Sequence, residues 1–274
     1  MRQAPWRRAA VAVWVAGVPC YPMASSLPAP DRVRYGPSAV RYRVHRDLRV
    51  EQSVAGQREA QRFGASIFVT AAITGPADSL GYRASFMVDS MIPDAGTPPL
   101  IADGCARVRA RVWVGRLGPH GEFEGASGDT LPPAVAELLG SLGDFLPRLP
   151  RGGAAAGAQW TDTVSLTRRG SGATVTRAGQ FASTATAWEE HAGVRSLRIE
   201  TSGTYRVAGA GDNGGQPLAL SGTGAADGEA FVAEDGRFMG GAVRDSTTIT
   251  VTLPLQGLTI PMTQVLHSTI AVLP

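Results

Sequence analysis

From Val40 onward apolar and polar residues alternate with a period of two. Val40, Tyr42, Val44, Leu48 and Val50 share one parity, and Arg41, Arg43, Asp47, Arg49 and Glu51 take the other. Successive strand residues point to opposite faces, so this pattern predicts a strand with one dry and one wet side. Arg46 falls on the dry parity, where a bulge would account for it. The pattern repeats at Phe63, Ala65, Ile67, Val69, Ala71 and Ile73, ended by Gly75-Pro76, and again at Tyr82, Ala84, Phe86 and Val88. A fourth strand is expected with Ala106, Val108, Ala110, Val112 and Val114 inward and Arg107, Arg109, Arg111 and Trp113 outward. Short turns between such segments indicate an antiparallel meander.

One segment follows a helical period instead. Val135, Leu138, Leu139, Leu142, Phe145 and Leu146 lie on one helical face, with Asp129 and Thr130 as cap oxygens, Pro132 and Pro133 in the first turn and Pro147 as the stop. Residues 148–158 are rich in Gly and Ala and read as a loose connector. Strands are then expected at 160–168, 173–188, 194–207, 217–223, 229–233, 238–253 and 258–272. Gly121-Glu-Phe-Glu-Gly125 and Gly236-Arg-Phe-Met-Gly240 give both halves the same G-x-F-x-G signature after a strand, which suggests duplication. The expected fold is therefore mainly β: two related curved antiparallel sheets, half-barrel-like, with one central amphipathic helix. Residues 30–128 form the first half, 129–158 the helix and connector, and 159–274 the second half.

Residues 1–29 read as a signal peptide. Arg2, Arg7 and Arg8 precede an apolar run from Ala9 to Val18, and small residues follow at Ala24, Ser25 and Ser26. Pro19 and Pro22 interrupt the run, so no stable transmembrane span is expected. Pro19 directly before Cys20 also argues against a lipid-anchored N-terminus. The chain is thus expected to be exported, to the periplasm or beyond.

Removal of that segment changes the charge. The 274 residues hold 26 Arg, no Lys and 23 acidic residues. Losing three arginines and no acids leaves 26 − 3 = 23 basic against 23 acidic groups, a net charge of zero. A nucleic-acid partner, which needs a basic surplus, is not expected. Cys105 would be the lone cysteine of the mature chain, and flanked by Gly104 and Ala106 it reads as a small buried residue rather than a nucleophile.

The absence of Lys removes P-loop, Schiff-base and S-x-x-K chemistry. There is no C-x-x-C or H-E-x-x-H, and His45, His120, His191 and His267 are far apart, so neither metal nor cofactor is expected. Gly209-Ala-Gly-Asp-Asn-Gly214 matches a dinucleotide fingerprint in letters alone, because Gly215 and Pro217 block the helix that must follow. Gly170-Ser-Gly172 is a turn, and Glu189-Glu190-His191 before Gly193 is the solvated tip of a hairpin. The arginine rows 41, 43, 49 and 107, 109, 111 could grip an anion, but more simply pair with acids across a wet sheet face. No catalytic residue is assigned.

The export segment, the strand meanders of both halves and the central helix together resemble uncharacterised secreted bacterial proteins with two related β-rich halves. More distantly they resemble the half-barrel lipid-carrier lipoproteins of the bacterial envelope. The resemblance implies a non-enzymatic protein that binds a lipid or other apolar molecule between curved sheets. Small dry-face residues (Ala65, Ala71, Ala84, Ala106, Ala110) leave room, and Tyr42, Phe63, Ile67, Phe86 and Val112 around them are the candidate ligand-binding residues. Two alternatives stand: an envelope interaction module, or a secreted hydrolase with His191 or His267 near a carboxylate and a Ser.

Overall fold

The computed structural model describes residues 32–54, 56–78, 81–126, 131, 133–140, 142–170, 173–212 and 215–274. Residues 1–29, read above as a signal peptide and including Cys20, lie outside the described residues, as do the expected Asp129–Thr130 cap and Ser171–Gly172.

Eleven antiparallel strands form one sheet in the order β5-β4-β3-β2-β1-β11-β10-β9-β8-β7-β6. The first half supplies β1 (Ser38–Val54), β2 (Gln57–Asp78), β3 (Gly81–Pro93), β4 (Arg111–Leu117) and β5 (Phe123–Ala126). The second supplies β6 (Gln159–Gly170), β7 (Ala173–His191), β8 (Val194–Asp212), β9 (Pro217–Ala233), β10 (Phe238–Leu253) and β11 (Leu258–Leu273). The two sets do not stand as separate sheets: β1 pairs with β11 over twelve residue pairs from Arg41↔Leu273 to Gln52↔Met262. The segments 217–223 and 229–233 are parts of the single strand β9, and β2 continues past Gly75-Pro76.

Parity holds on the central strands. Val40, Tyr42, Val44 and Leu48 are buried, as are the alternating apolar residues Phe63 to Ile73 on β2 and Ala84, Phe86 and Val88 on β3. Arg41, Arg43 and Arg49 are exposed. No bulge occurs at Arg46, since β1 keeps its register on both sides. Its guanidinium crosses the inner face instead, and a methyl group at Gly140 would fall 1.9 Å from Arg46 Nη1. On the outer face Arg62 grips Asp47 in a fork at 2.8 and 2.6 Å, holding that carboxyl below its usual range, while Arg41 approaches Asp89 at 3.6 Å and Arg49 meets Glu51. Of the first arginine row, Arg41 pairs with an acid of another strand, Arg49 with one on its own strand, and Arg43 meets the Ser66 hydroxyl.

The fourth strand differs from expectation. Residues Pro99–Ala106 form a helix, α1, with Pro in its first turn, and 107–110 are a turn. Ala110 takes φ 61°, and its N–H bonds the Val88 carbonyl at 2.7 Å. That turn resets the parity of β4, leaving Val112 43% and Val114 66% exposed. Arg107 and Arg109 therefore sit in a turn rather than in a strand row.

The helical stretch is also broken. Helix α2 spans Pro133–Leu139, Gly140 at φ 72° stops it, and a 3-10 turn follows at Leu142–Asp144. Val135 and Leu138 are fully buried, each contributing about 1.5–3 kcal/mol by removal from water. The segment after it is tied down rather than loose. Val33 and Ala154 form a bridge, Tyr35 donates its hydroxyl to the Pro147 carbonyl at 2.5 Å, and Gly157 donates to the Ala185 carbonyl.

The sheet is curved. Phe86 on β3 and Phe238 on β10 are four strand steps apart, about 19 Å on a flat sheet. Both ring centroids nevertheless lie close to that of Phe145, at 5.3 and 5.9 Å, and Tyr42 on β1 lies at 5.2 Å. Phe145 plugs the hollow this makes.

Candidate functional site

The inner face divides into a filled and an open part. Over the first half, α1 packs on β3 and α2 on β1 and β2, closing the space above the small alanines. Tyr42, Phe63, Ile67 and Phe86 are consequently core residues, each at most 8% exposed. Tyr42 and Phe86 meet at Phe145, Phe63 and Ile67 lie on β2, and Val112 is on the outside. None of the five lines the cavity over the second half.

That cavity, of about 320 Å³, lies over the second half between β6–β11 and the segment 144–148. Its wall is mostly apolar, with Val164, Leu166, Phe181, Phe238, Leu266 and Ile270. The room comes from glycines on the inward parity. Gly203 on β8 faces Phe181 on β7, and Gly224 on β9 faces Tyr205 on β8. A methyl at 203 would lie 2.5 Å from Phe181 Cδ1, and one at 224 would lie 2.2 Å from Tyr205 Cζ. Each ring therefore lies flat over a glycine of the next strand instead of standing into the hollow. This signal was present in the sequence: glycines alternate with Phe181 and Tyr205 at inward positions.

Lying flat lets Tyr205 reach across β9. Its hydroxyl hydrogen-bonds the Asp245 carboxylate and Thr247 on β10. Arg177 on β7 closes the group, with Nη2 2.6 Å from Asp245 Oδ2 and its guanidinium carbon 4.1 Å from the Tyr205 ring centroid. Burial, reinforced by Asp245, pushes the Tyr205 hydroxyl up to about 12. At the cover, Arg148 pairs with Asp144 at 3.0 Å.

The remaining candidates are placed elsewhere. His191 ends β7 at the hairpin tip, stacked on Phe231 at 3.8 Å between centroids. His267 is exposed on β11. Residues 209–212 belong to β8, and the next element among the described residues is the strand β9. Phe123 and Phe238 of the two G-x-F-x-G segments both open a strand and are both buried. Cys105 is buried in α1, which pushes its thiol pKa up. Among the described residues, no three His, Cys, Asp or Glu gather as a metal site, and no helix is long and apolar enough to cross a membrane.

No protein-family profile matches the chain, and no curated protein does. Among solved structures it is similar to DynF from the dynemicin biosynthesis pathway of Micromonospora chersina, at 10% identity over 93% of this chain and 92% of that one, with a TM-score of 0.25. A superposition that poor supports no shared site.

Proposed function

We propose that the protein is an exported, non-enzymatic carrier or sensor that holds a small apolar molecule against the inner face of its second half. The observation that carries this reading is the cavity itself. At about 320 Å³ it stands near the lower end of the ~300–1,000 Å³ typical of small-molecule sites, and its wall is mainly apolar. Well-packed interiors hold few voids larger than a water molecule, so a hollow kept open by overlain glycines is a feature to be filled. Two ion pairs stand at its wall, Arg177 with Asp245 and Arg148 with Asp144. Export is part of the reading and rests on the residues before Pro30.

Native mass spectrometry of the protein expressed at full length in an exporting bacterial host tests both parts. The expected result is a polypeptide shortened by about 29 residues that carries a small copurifying molecule. A bare mass, under conditions in which other apolar complexes survive, removes the binding reading; an uncleaved chain removes export.

A further inference from the structure

Resting on the binding reading above, we infer that the cavity selects a flat, unsaturated molecule without negative charge, stacked on Phe181 and kept apart from anionic lipids by Asp162. The Phe181 and Tyr205 rings are 6.5 Å apart and within 21° of parallel on adjacent strands. The Arg177 guanidinium covers the buried Tyr205 ring, so the flat surface offered at the cavity is the half-buried Phe181 ring with that guanidinium beside it. Flat π-systems gain stacking on aromatic rings and on guanidinium planes, whereas a saturated chain gains only buried area.

The charge next to Phe181 disfavours an anion. Arg177 is committed to Asp245, Arg148 to Asp144, and the Arg46 guanidinium lies beside Gly140 at the carbonyl end of α2. Asp162 on β6 sits directly opposite Phe181 in the strand register and lines the cavity, with no ion pair among the described residues. A carboxylate or phosphate entering beside Phe181 would face the Asp162 carboxylate, and like charges at that range repel.

Fluorescence titration with 1-aminoanthracene, uncharged at neutral pH, and anthracene-1-carboxylate isolates the charge on one ring system, and dodecanol supplies a saturated comparison. The amine is expected to bind about tenfold tighter than the carboxylate. Asp162→Asn should close most of that gap while leaving the amine unchanged. Phe181→Leu should weaken both anthracenes and spare dodecanol, with circular dichroism confirming that both variants are folded. A carboxylate that binds as tightly as the amine, or a Phe181→Leu variant with undiminished anthracene affinity, overturns the inference. Dodecanol binding without either anthracene also overturns it, yet leaves the binding reading standing. Failure of all three probes to bind removes that reading as well.

Discussion

Tyr205 on β8 and Asp245 on β10 are hydrogen-bonded although a whole strand runs between them. The contact is made over Gly224, the one residue type that leaves space for a ring laid across the backbone. Gly224 is thus as much a part of the site as the groups that touch. Any side chain there lifts the ring, breaks the bond to Asp245 and fills the hollow from below.

Gly224→Val is therefore expected to destabilise the protein by about 1–3 kcal/mol through overpacking. It should also reduce binding of a neutral aromatic probe. Tyr205→Phe keeps the ring in place and removes only the hydroxyl, leaving Asp245 with Arg177 and Thr247, at a cost of about 1–3 kcal/mol. Both lose stability in urea denaturation, and probe binding separates them, because Tyr205→Phe alone retains the shape of the hollow. Unchanged probe binding in Gly224→Val would mean that the ring does not shape the hollow.

Phe145 is expected to be the most costly single truncation outside the sheet. Its ring contacts Tyr42, Phe86 and Phe238, from three strands, and also lines the cavity. Phe145→Ala should cost about 3–5 kcal/mol and join the cavity to the core, increasing uptake of a larger apolar probe. A loss below about 1 kcal/mol in urea denaturation would show that the curvature does not depend on this plug.

The strands were legible where they run unbroken. Tyr42, Ile67 and Phe86 are buried because the period that places them inward runs unbroken within each of the runs 40–44, 63–73 and 84–88. Ala106 to Val114 carries the same alternation, but the alternation is a coincidence of composition. Pro99 starts a helix just before it, and Ala110 adopts a left-handed backbone that no residue-type preference for Ala announces. The pocket was misplaced for a related reason. Small dry-face residues mark potential space, and what fills that space depends on where a distant segment folds back. Helices α1 and α2 return over the first half, so the alanines there are covered, while Gly179, Gly228 and Gly241 line the open part over the second.

That parity reset gives a direct comparison. Val112→Thr, at a position 43% exposed, should change stability by less than about 0.5 kcal/mol, as surface substitutions do. Phe86→Ala, on the neighbouring β3 and 1% exposed, should cost about 3–5 kcal/mol. Thermal denaturation of the pair reads the orientation of β4. A large loss from Val112→Thr would place that side chain inward after all.

Alkaline stability follows from the buried hydroxyls. Tyr205 is pushed from 10.0 to about 12, chiefly by burial and then by its hydrogen bond to Asp245. Burial also raises Tyr35 and Tyr42, whose hydroxyls donate to the Pro147 and Phe238 carbonyls. A raised folded-state value means that the unfolded chain loses its proton first. The stabilisation is then fully present below pH 10 and drains away as pH rises through 10 towards 12. Arginine keeps its charge across this range, and with no Lys in the chain no lysine titration is superimposed on the tyrosines. Urea midpoints measured from pH 9 to pH 12 should fall steeply above pH 10, and Tyr205→Phe should fall less steeply than the parent chain. Parallel slopes would show that the Tyr205 hydroxyl reaches water in the folded protein and is not held on Asp245.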